Sequence, residues 1–571
     1  MDYFPRKTDR RRLLRDAGLI TAGLAVSRWM PAWAQPVSPG IATPLSVLSR
    51  TDIALRIAHQ TMVIDGRESR AIGINGTVPA PLLRLQEGTT VRLAVTNDLD
   101  EDSSIHWHGL LVPPEFDGVP GVSFPGIAPR STFVYEFPLR QSGTYWYHSH
   151  SGLQEQLGHY GPLIIDPAGV DPIASDREHV IVLSDHSEMS PTAIFRKLKQ
   201  EGGYFNRQKQ TLAGLLAGKG QPLEERLMWG AMRMEPTDVA DVTGATYTYL
   251  VNGHGPDDNW TALFAPGERV RLRFINASAM TTFNVRIPGL PLEIVQADGQ
   301  NVRPVTVDEF QIGVAETYDA IVQPLEDRAY TLVGESVDRS GLARATLAPR
   351  VGMTADVPAL RTRPLATMQD MGMMDHGPGD MGGMDMEMDM RDFTNAPTVA
   401  KGPGVQTISP MPMDRTGEPG QGLADVGHRV LVYRDLVAVE KNPDARPPGR
   451  SLDIHLTGNM ERFMWSFDGV KMSDTHVSFP FVEGERVRVN LINDSMMGHP
   501  IHLHGHFFEL VTGHGDYSPR KHTVIVQPGG KVTFDLTADA VGDWAFHCHL
   551  LYHMHAGMMR VVSVRPRGTL S

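Results

Sequence analysis

The chain of 571 residues has a single cysteine, Cys548, so no disulfide can form within it. Near its start the apolar stretch "AGLITAGLAV" (17–26) is too short to span a bilayer, since a spanning helix needs about 20 such residues. There is no excess of basic residues either. Lys and Arg number 53 against 66 Asp and Glu, a net charge of −13. That balance argues against general nucleic-acid binding and against a basic membrane-surface patch. Long helical patterns are scarce, and 190–218 is the main candidate. What remains, 41% hydrophobic and 21% charged, is the composition of a soluble globular protein. At roughly 100–200 residues per domain, it suggests about three domains.

What is present begins with a basic leader. "DRRRLLR" (9–15) precedes the short apolar run, and "PAWAQ" (31–35) offers a small-x-small cleavage site at Ala32-Trp33-Ala34. Residues 1–34 read as a twin-arginine signal around Arg10 and Arg11. The expectation is export, already folded, to the periplasm, with no membrane insertion in the mature form.

Next comes a repeat. "EGTTVRLAVTND" (87–98), "PGERVRLRFINAS" (266–278) and "EGERVRVNLINDS" (483–495) are one segment three times: a glycine turn, alternating apolar and polar residues, then Asn. Such alternation predicts a strand with one buried face. "STFVYEFPL", "YTYLVNG", "YDAIVQP" and "KVTFDLTAD" alternate similarly. The expected fold is all-β, with three Greek-key β-sandwich domains at 50–168, 175–350 and 426–566. Between the last two lies a stretch, 351–425, within which 368–390 holds nine methionines: Met368, Met371, Met373, Met374, Met381, Met384, Met386, Met388 and Met390. With acidic residues and glycine but almost no other apolar residue, 368–390 is expected to be a flexible, thioether-rich insert.

The repeats differ where chemistry could sit. The first leads into "IHWHG" (His106, His108) and the third into "HPIHLHG" (His499, His502, His504). Later strands end in "YHSH" (His148, His150) and "HCH" (His547, His549). The second copy has no histidine at these places, which makes the middle domain a spacer. Side chains on a strand alternate with period two, so each His-x-His aims two imidazoles to one side. Four pairs facing each other across an interface give eight nitrogen ligands, enough for two or three copper ions and a small ligand such as dioxygen. Cys548 points the opposite way, to a separate metal that His499, His553 and Met558 can complete. Cysteine, two histidines and a weak axial methionine make the blue-copper electron-transfer set. Zinc fits less well, since its sites use three or four ligands and no wired thiolate.

These motifs resemble the multicopper oxidases, and the likeness runs through the whole mature chain. The stretches "VPPEFDGVPGVSFPGIAP", "YWYHSHSGLQEQ", "MPMDRTGEPG", "HLTGNMERFMWSFDGVK" and "HCHLLYHM" are similar to the bacterial copper-resistance protein A group. The resemblance implies cupredoxin-like domains and four coppers per chain. It places type 1 copper on His499, Cys548, His553 and Met558, and type 2 on His106 and His502. The type 3 pair falls to His108, His148, His150, His504, His547 and His549. Single electrons would pass from type 1 to the other three coppers, where dioxygen is reduced to water. Asp117 matches the family's acid beside the cluster and is a proton donor on that basis. Several relatives have an acid just after the type 1 histidine, whereas here His553 is followed by Met554, His555 and Ala556. His555 could shuttle protons or cap a surface.

The donor expected from this likeness is Cu(I), which soft thioethers select. Met460, Met464, Met472, Met496 and Met497 could accept it near the type 1 ligands, and the insert methionines could bind accessory Cu(I). The alternatives are a copper-sequestering protein with secondary oxidase activity, or a laccase-like oxidase of phenolic compounds. Replacing Cys548 by Ser should abolish the intense blue thiolate-to-copper absorption while the eight-histidine cluster still binds copper. Visible spectra and metal analysis check this, and a variant that stays blue would refute the type 1 assignment.

Overall fold

Each copy of the repeat is a central strand held in the same way. Thr90–Asn97 lies parallel to Asp52–Ile64 and antiparallel to Ser131–Pro138. Val270–Asn276 has Arg177–His186 and Thr317–Val322 in those two places. Arg486–Asn493 has Arg450–Asn459 and Gly530–Thr537. In this computed structural model, which describes residues 40–373 and 390–568, the strands form six sheets stacked as three cupredoxin-like β-sandwiches. The expected signal at 1–34 and Met374, Met381, Met384, Met386 and Met388 lie outside the described residues. No helix among the described residues is long and apolar enough to cross a membrane.

The asparagine that closes each repeat has a structural job. Asn97, Asn276 and Asn493 are fully buried. Each Oδ1 accepts the backbone N–H two residues on, at 2.9, 3.1 and 2.9 Å, in the turn that asparagine favours. Each Nδ2 also donates to carbonyls of two loop strands, Asn97 to Glu101 and Ile127, Asn276 to Thr281 and Ile312, Asn493 to Met497 and Val526. In the first and third copies the loop so pinned delivers the histidine strands His106–His108 and His499–Leu503.

Helices are few. The predicted helical region 190–218 holds two short ones, Pro191–Gln200 and Leu212–Leu216, and a third at Leu223–Ala231 follows that the pattern did not signal. Ser190 caps the first, its Oγ accepting from Ala193 N, with proline at the first helical position. Leu551–Ala556 follows the His-Cys-His segment and carries His553.

The stretch expected to be a loose insert is fixed at both described ends. Met371 and Met373 are buried, and Asp370 is a buried partner of Arg415 at 2.7 Å. Met413–Asp414 pairs with Gly530–Thr537 of the third sandwich. Composition hid this because the segment builds no core of its own. It fills a gap in someone else's, and its buried acid needs a cation that lies 45 residues away in sequence.

The second and third sandwiches meet on a buried charge triad. Lys521 Nζ lies 3.0 Å from Asp298 and 3.1 Å from Glu316, all three with fully buried side chains. Asp298 Oδ2 also accepts from Thr523 N at 3.1 Å, and Glu316 accepts from Tyr433 OH at 2.7 Å. Removing one partner of such a set strands the others in a low dielectric. Lys521→Met should therefore cost about 3–5 kcal/mol, read as a lowered denaturant midpoint against the wild type.

Candidate metal centre

Strand register brings the histidine pairs together. His106 stands opposite His148 in the first sandwich, and His502 opposite His547 in the third. Across the interface between these two sandwiches the eight rings interleave. His106 and His504 have centroids 3.8 Å apart, and His108 and His502 stack at 3.9 Å. His148 and His108 lie 4.9 and 5.0 Å from His549. His547 Nε2 is 3.0 Å from His504 Nε2 and 3.4 Å from His150 Nε2. The structure thus gathers all eight into one buried pocket.

Each imidazole has two nitrogens, and in most of these the outer one is tied to the protein. The Nδ1 atoms of His106, His502 and His547 donate to the carbonyls of Asp117, His522 and Cys548, at 2.8, 2.7 and 3.0 Å. A carbonyl can only accept, so each Nδ1 carries the hydrogen and each Nε2 carries a lone pair. His504 Nδ1 is 2.9 Å from Asp117 Oδ2, and His148 Nδ1 is 2.8 Å from Glu155 Oε2. His108 is turned round, its Nε2 on Thr523 Oγ1 at 3.2 Å. The inner atoms, Nε2 of His106, His148, His502 and His549 and Nδ1 of His108, are buried with no hydrogen-bond partner in the protein. An unmade buried hydrogen bond costs about 1–3 kcal/mol. Five of them around one pocket fit a site built to bind metal.

The sulfur site lies on the other face of the same strand, Gly542–Cys548. Cys548 Sγ is 3.5 Å from His499 Nδ1 and 3.8 Å from His553 Nδ1, and those two nitrogens are 3.2 Å apart. Met558 is fully buried in the same core, and Cys548 N donates to its carbonyl at 3.1 Å. Burial pushes the Cys548 thiol well above its ordinary value, so a cation has to displace the proton. The outer nitrogens are again held. Ser495 Oγ is 2.8 Å from His499 Nε2, and Asp241 Oδ2 is 2.6 Å from His553 Nε2. Trp465 stacks on His553 at 3.9 Å.

Asp117 is fully buried and touches two of the eight histidines, with Oδ1 3.3 Å from His106 Nδ1. His555 does not reach the pocket. It is exposed on its helix with its ring edge-on to Phe195 at 4.8 Å. Three residues that sequence reasoning passed over also belong here: Glu155, Asp241 and His522, whose Nδ1 is 3.0 Å from Thr523 Oγ1. The middle sandwich is therefore more than a spacer, since it supplies Asp241 to the sulfur site.

A thiolate with two imidazoles, wired through one strand to a pocket of eight more, defines a copper oxidoreductase with separate single-ion and multi-ion sites. Family models of multicopper oxidases match residues 56–169, 177–349 and 445–568, and the chain belongs to that family. It is an oxidoreductase whose cofactor is copper. The chain is 47% identical to Copper resistance protein A of Escherichia coli, with 98% of this chain and 99% of that protein covered. It is also 47% identical to a Copper resistance protein A homolog of Pseudomonas syringae pv. tomato, over 98% and 100%. A solved multicopper oxidase that functions in iron import shares the fold, with a TM-score of 0.63 at 19% identity over 90% of each chain.

Metal-free protein should lose stability as pH falls. Burial holds His108, His148, His150, His499, His502, His504, His549 and His553 well below 6.5, and His547 at about 4. Below pH 6.5 the unfolded chain takes up protons at these residues that the folded chain refuses, so stability rises with pH in that window. Burial acts oppositely on several acids, among them Asp238 and Asp241, raised to about 7 and about 8, and Glu155, Asp185, Asp338 and Asp494, also raised, but these are fewer than the depressed histidines. Each unbalanced proton is worth about 1.4 kcal/mol per pH unit. Denaturant titrations of copper-free protein at pH 7 and pH 5 should show the lower midpoint at pH 5.

Proposed function

We propose that this oxidase takes electrons from Cu(I) and delivers them to dioxygen, in copper resistance. One observation carries the reading. Among the described residues, nine methionines, Met228, Met232, Met234, Met368, Met371, Met373, Met390, Met460 and Met496, form one apolar cluster with Trp229 and Ala366. Met496 lies three residues before His499, so the cluster borders the sulfur site. Met228 lies on the helix Leu223–Ala231 and Met232 is its C-cap, and Arg233 pairs with Glu461 at 2.6 Å across the boundary to the third sandwich. A core of this size could be filled with leucine. Thioethers in such number supply soft ligands that favour Cu(I) over Cu(II) and over organic donors. Of the other methionines read from sequence, Met497 joins the main core and Met464 and Met472 stand outside this cluster.

In this reading His499, Cys548, His553 and Met558 hold the type 1 copper, and His106 and His502 the type 2. His108, His148 and His549 would hold one type 3 ion, and His150, His504 and His547 the other. Copper supplies one-electron redox change and the binding of dioxygen. The protein does the rest. Cys548, one peptide away from both His547 and His549, would provide the covalent path from the sulfur site to the histidine pocket. The tied outer nitrogens keep each ring in place as charge changes, which lowers the reorganisation needed per electron. Asp117 clamps His106 and His504 and, buried beside the pocket, is the acid placed to pass a proton toward reduced oxygen.

Phenol oxidation is the weaker reading, because the ring edge an organic donor would approach is covered. His553 is fully buried between Asp241 and Trp465. Export through the leader at 1–34 and work in the periplasm complete the proposal, with domain limits near 50–168, 175–350 and 426–566.

Replacing Met228 and Met232 together by Leu keeps the volume and removes two thioethers. Oxygen uptake against Cu(I) should then show KM raised at least about fivefold, a loss near 1 kcal/mol, with oxidation of an organic one-electron donor unchanged. A storage protein would instead bind fewer coppers beyond four at unaltered KM. Unchanged KM and unchanged copper content would remove the cluster from the reading.

A further inference from the structure

We propose that Glu155 is a positioning residue for the histidine pocket: its carboxylate holds His148 with Nε2 facing the metal and strengthens that ring as a ligand. The inference rests on the reading of His148 as a type 3 ligand.

Glu155 opens the short turn Glu155–Leu157, seven residues after His148. Its side chain is 2% exposed and that of His148 1%. Oε2 sits 2.8 Å from His148 Nδ1, while Oε1 has no hydrogen-bond partner in the protein. The carbonyl of Ser149 is 3.0 Å from the same Nδ1, so that nitrogen bears the hydrogen and shares it between two acceptors. The backbone carbonyl alone would settle the tautomer, as it does for His547. A second, ionisable acceptor is therefore surplus to that task. Among the described residues no lysine or arginine pairs with Glu155, and an uncompensated buried carboxylate costs several kcal/mol. The arrangement is explained if the compensating positive charge is the metal on the far side of the ring. Through the imidazole, the carboxylate raises the electron density at Nε2, the role that carboxylates play behind metal-bound histidines.

The turn that carries Glu155 is locked by the other two sandwiches. Gln156 Nε2 donates to the carbonyl and to Oδ1 of Asp185, each at 3.2 Å. Gln156 Oε1 accepts from Tyr247 OH, and from Tyr552 OH at 3.5 Å. Asp185 and Tyr247 belong to the middle sandwich, and Tyr552 precedes His553. Glu155 reaches its position only when all three sandwiches are docked. On the ring's other side Trp146 stacks at 4.2 Å, so His148 is clamped by a face and an edge.

The test compares copper-loaded wild type with Glu155→Gln, Glu155→Leu and His148→Ala. Glutamine keeps an acceptor and removes the charge, and leucine removes both. Three readouts are taken: copper retained against a chelator, the near-ultraviolet absorption of the coupled pair, and the electron spin resonance signal that appears when coupling is lost. The expected result is that both Glu155 variants stay blue, since the sulfur site is untouched. Glu155→Gln should lose cluster copper to about 10-fold less chelator and Glu155→Leu to about 100-fold less, the span seen when such supporting groups are removed. Both should show a new resonance signal. A wild-type-like silent pair and wild-type copper retention in Glu155→Gln overturn the proposal, and this variant decides the matter if Glu155→Leu does not fold. A silent, fully loaded pair in His148→Ala would instead overturn the ligand reading, so the two failures are distinct.

Discussion

An imidazole can serve a metal with one nitrogen only if the other is provided for. In this protein that requirement is met inside a dry interior, where each unprovided nitrogen is expensive. Backbone carbonyls of Asp117, His522 and Cys548 fix three rings. Carboxylates of Asp117, Glu155 and Asp241 act on three more. Hydroxyls of Thr523 and Ser495 serve His108 and His499. The metal-facing atoms are left over from this arrangement. Much of the surrounding fold, including the asparagine-pinned loops and the short turn after His150, can be understood as the apparatus that keeps the outer partners in reach.

The same requirement explains why the middle sandwich persists without ligands of its own. It is a source of buried carboxyl groups for its neighbours. Asp298 receives the backbone of Thr523, whose hydroxyl supports His108, and Asp241 reaches His553. Lys521 balances Asp298 and Glu316 at the seam. Docking of the sandwiches and completion of both metal environments are thus one event, because the same side chains perform both.

The strands and the ligand pairs were legible because their signal is local. Period-two alternation in 87–98, 266–278 and 483–495 needs no knowledge of distant residues, and each segment is a strand. His-x-His spacing is likewise a statement about one strand. Glu155, Asp241 and the methionines in and just after the helix Leu223–Ala231, Met228, Met232 and Met234, carry no such signal. Their partners lie across domain boundaries, and an acid in a turn or a methionine on a helix has the same local pattern whether it faces solvent or a ligand. A carboxyl set among apolar residues, as in "VADV" around Asp241, was the one available hint. The loose insert was misjudged at its ends for the same reason, since Asp370 and Arg415 find each other only in three dimensions.

The strand Gly542–Cys548 presents Cys548 to the sulfur site and His547 to the histidine pocket, and it is among the last elements in the chain. A ribosome that stalls, or a protease that clips the chain ahead of this strand, leaves a product with histidines from His106 onward but neither finished site. Such a fragment can bind stray metal weakly but has no wired path along which to pass electrons to oxygen. The order of elements along the chain therefore makes both sites depend on nearly the final segment to be synthesised.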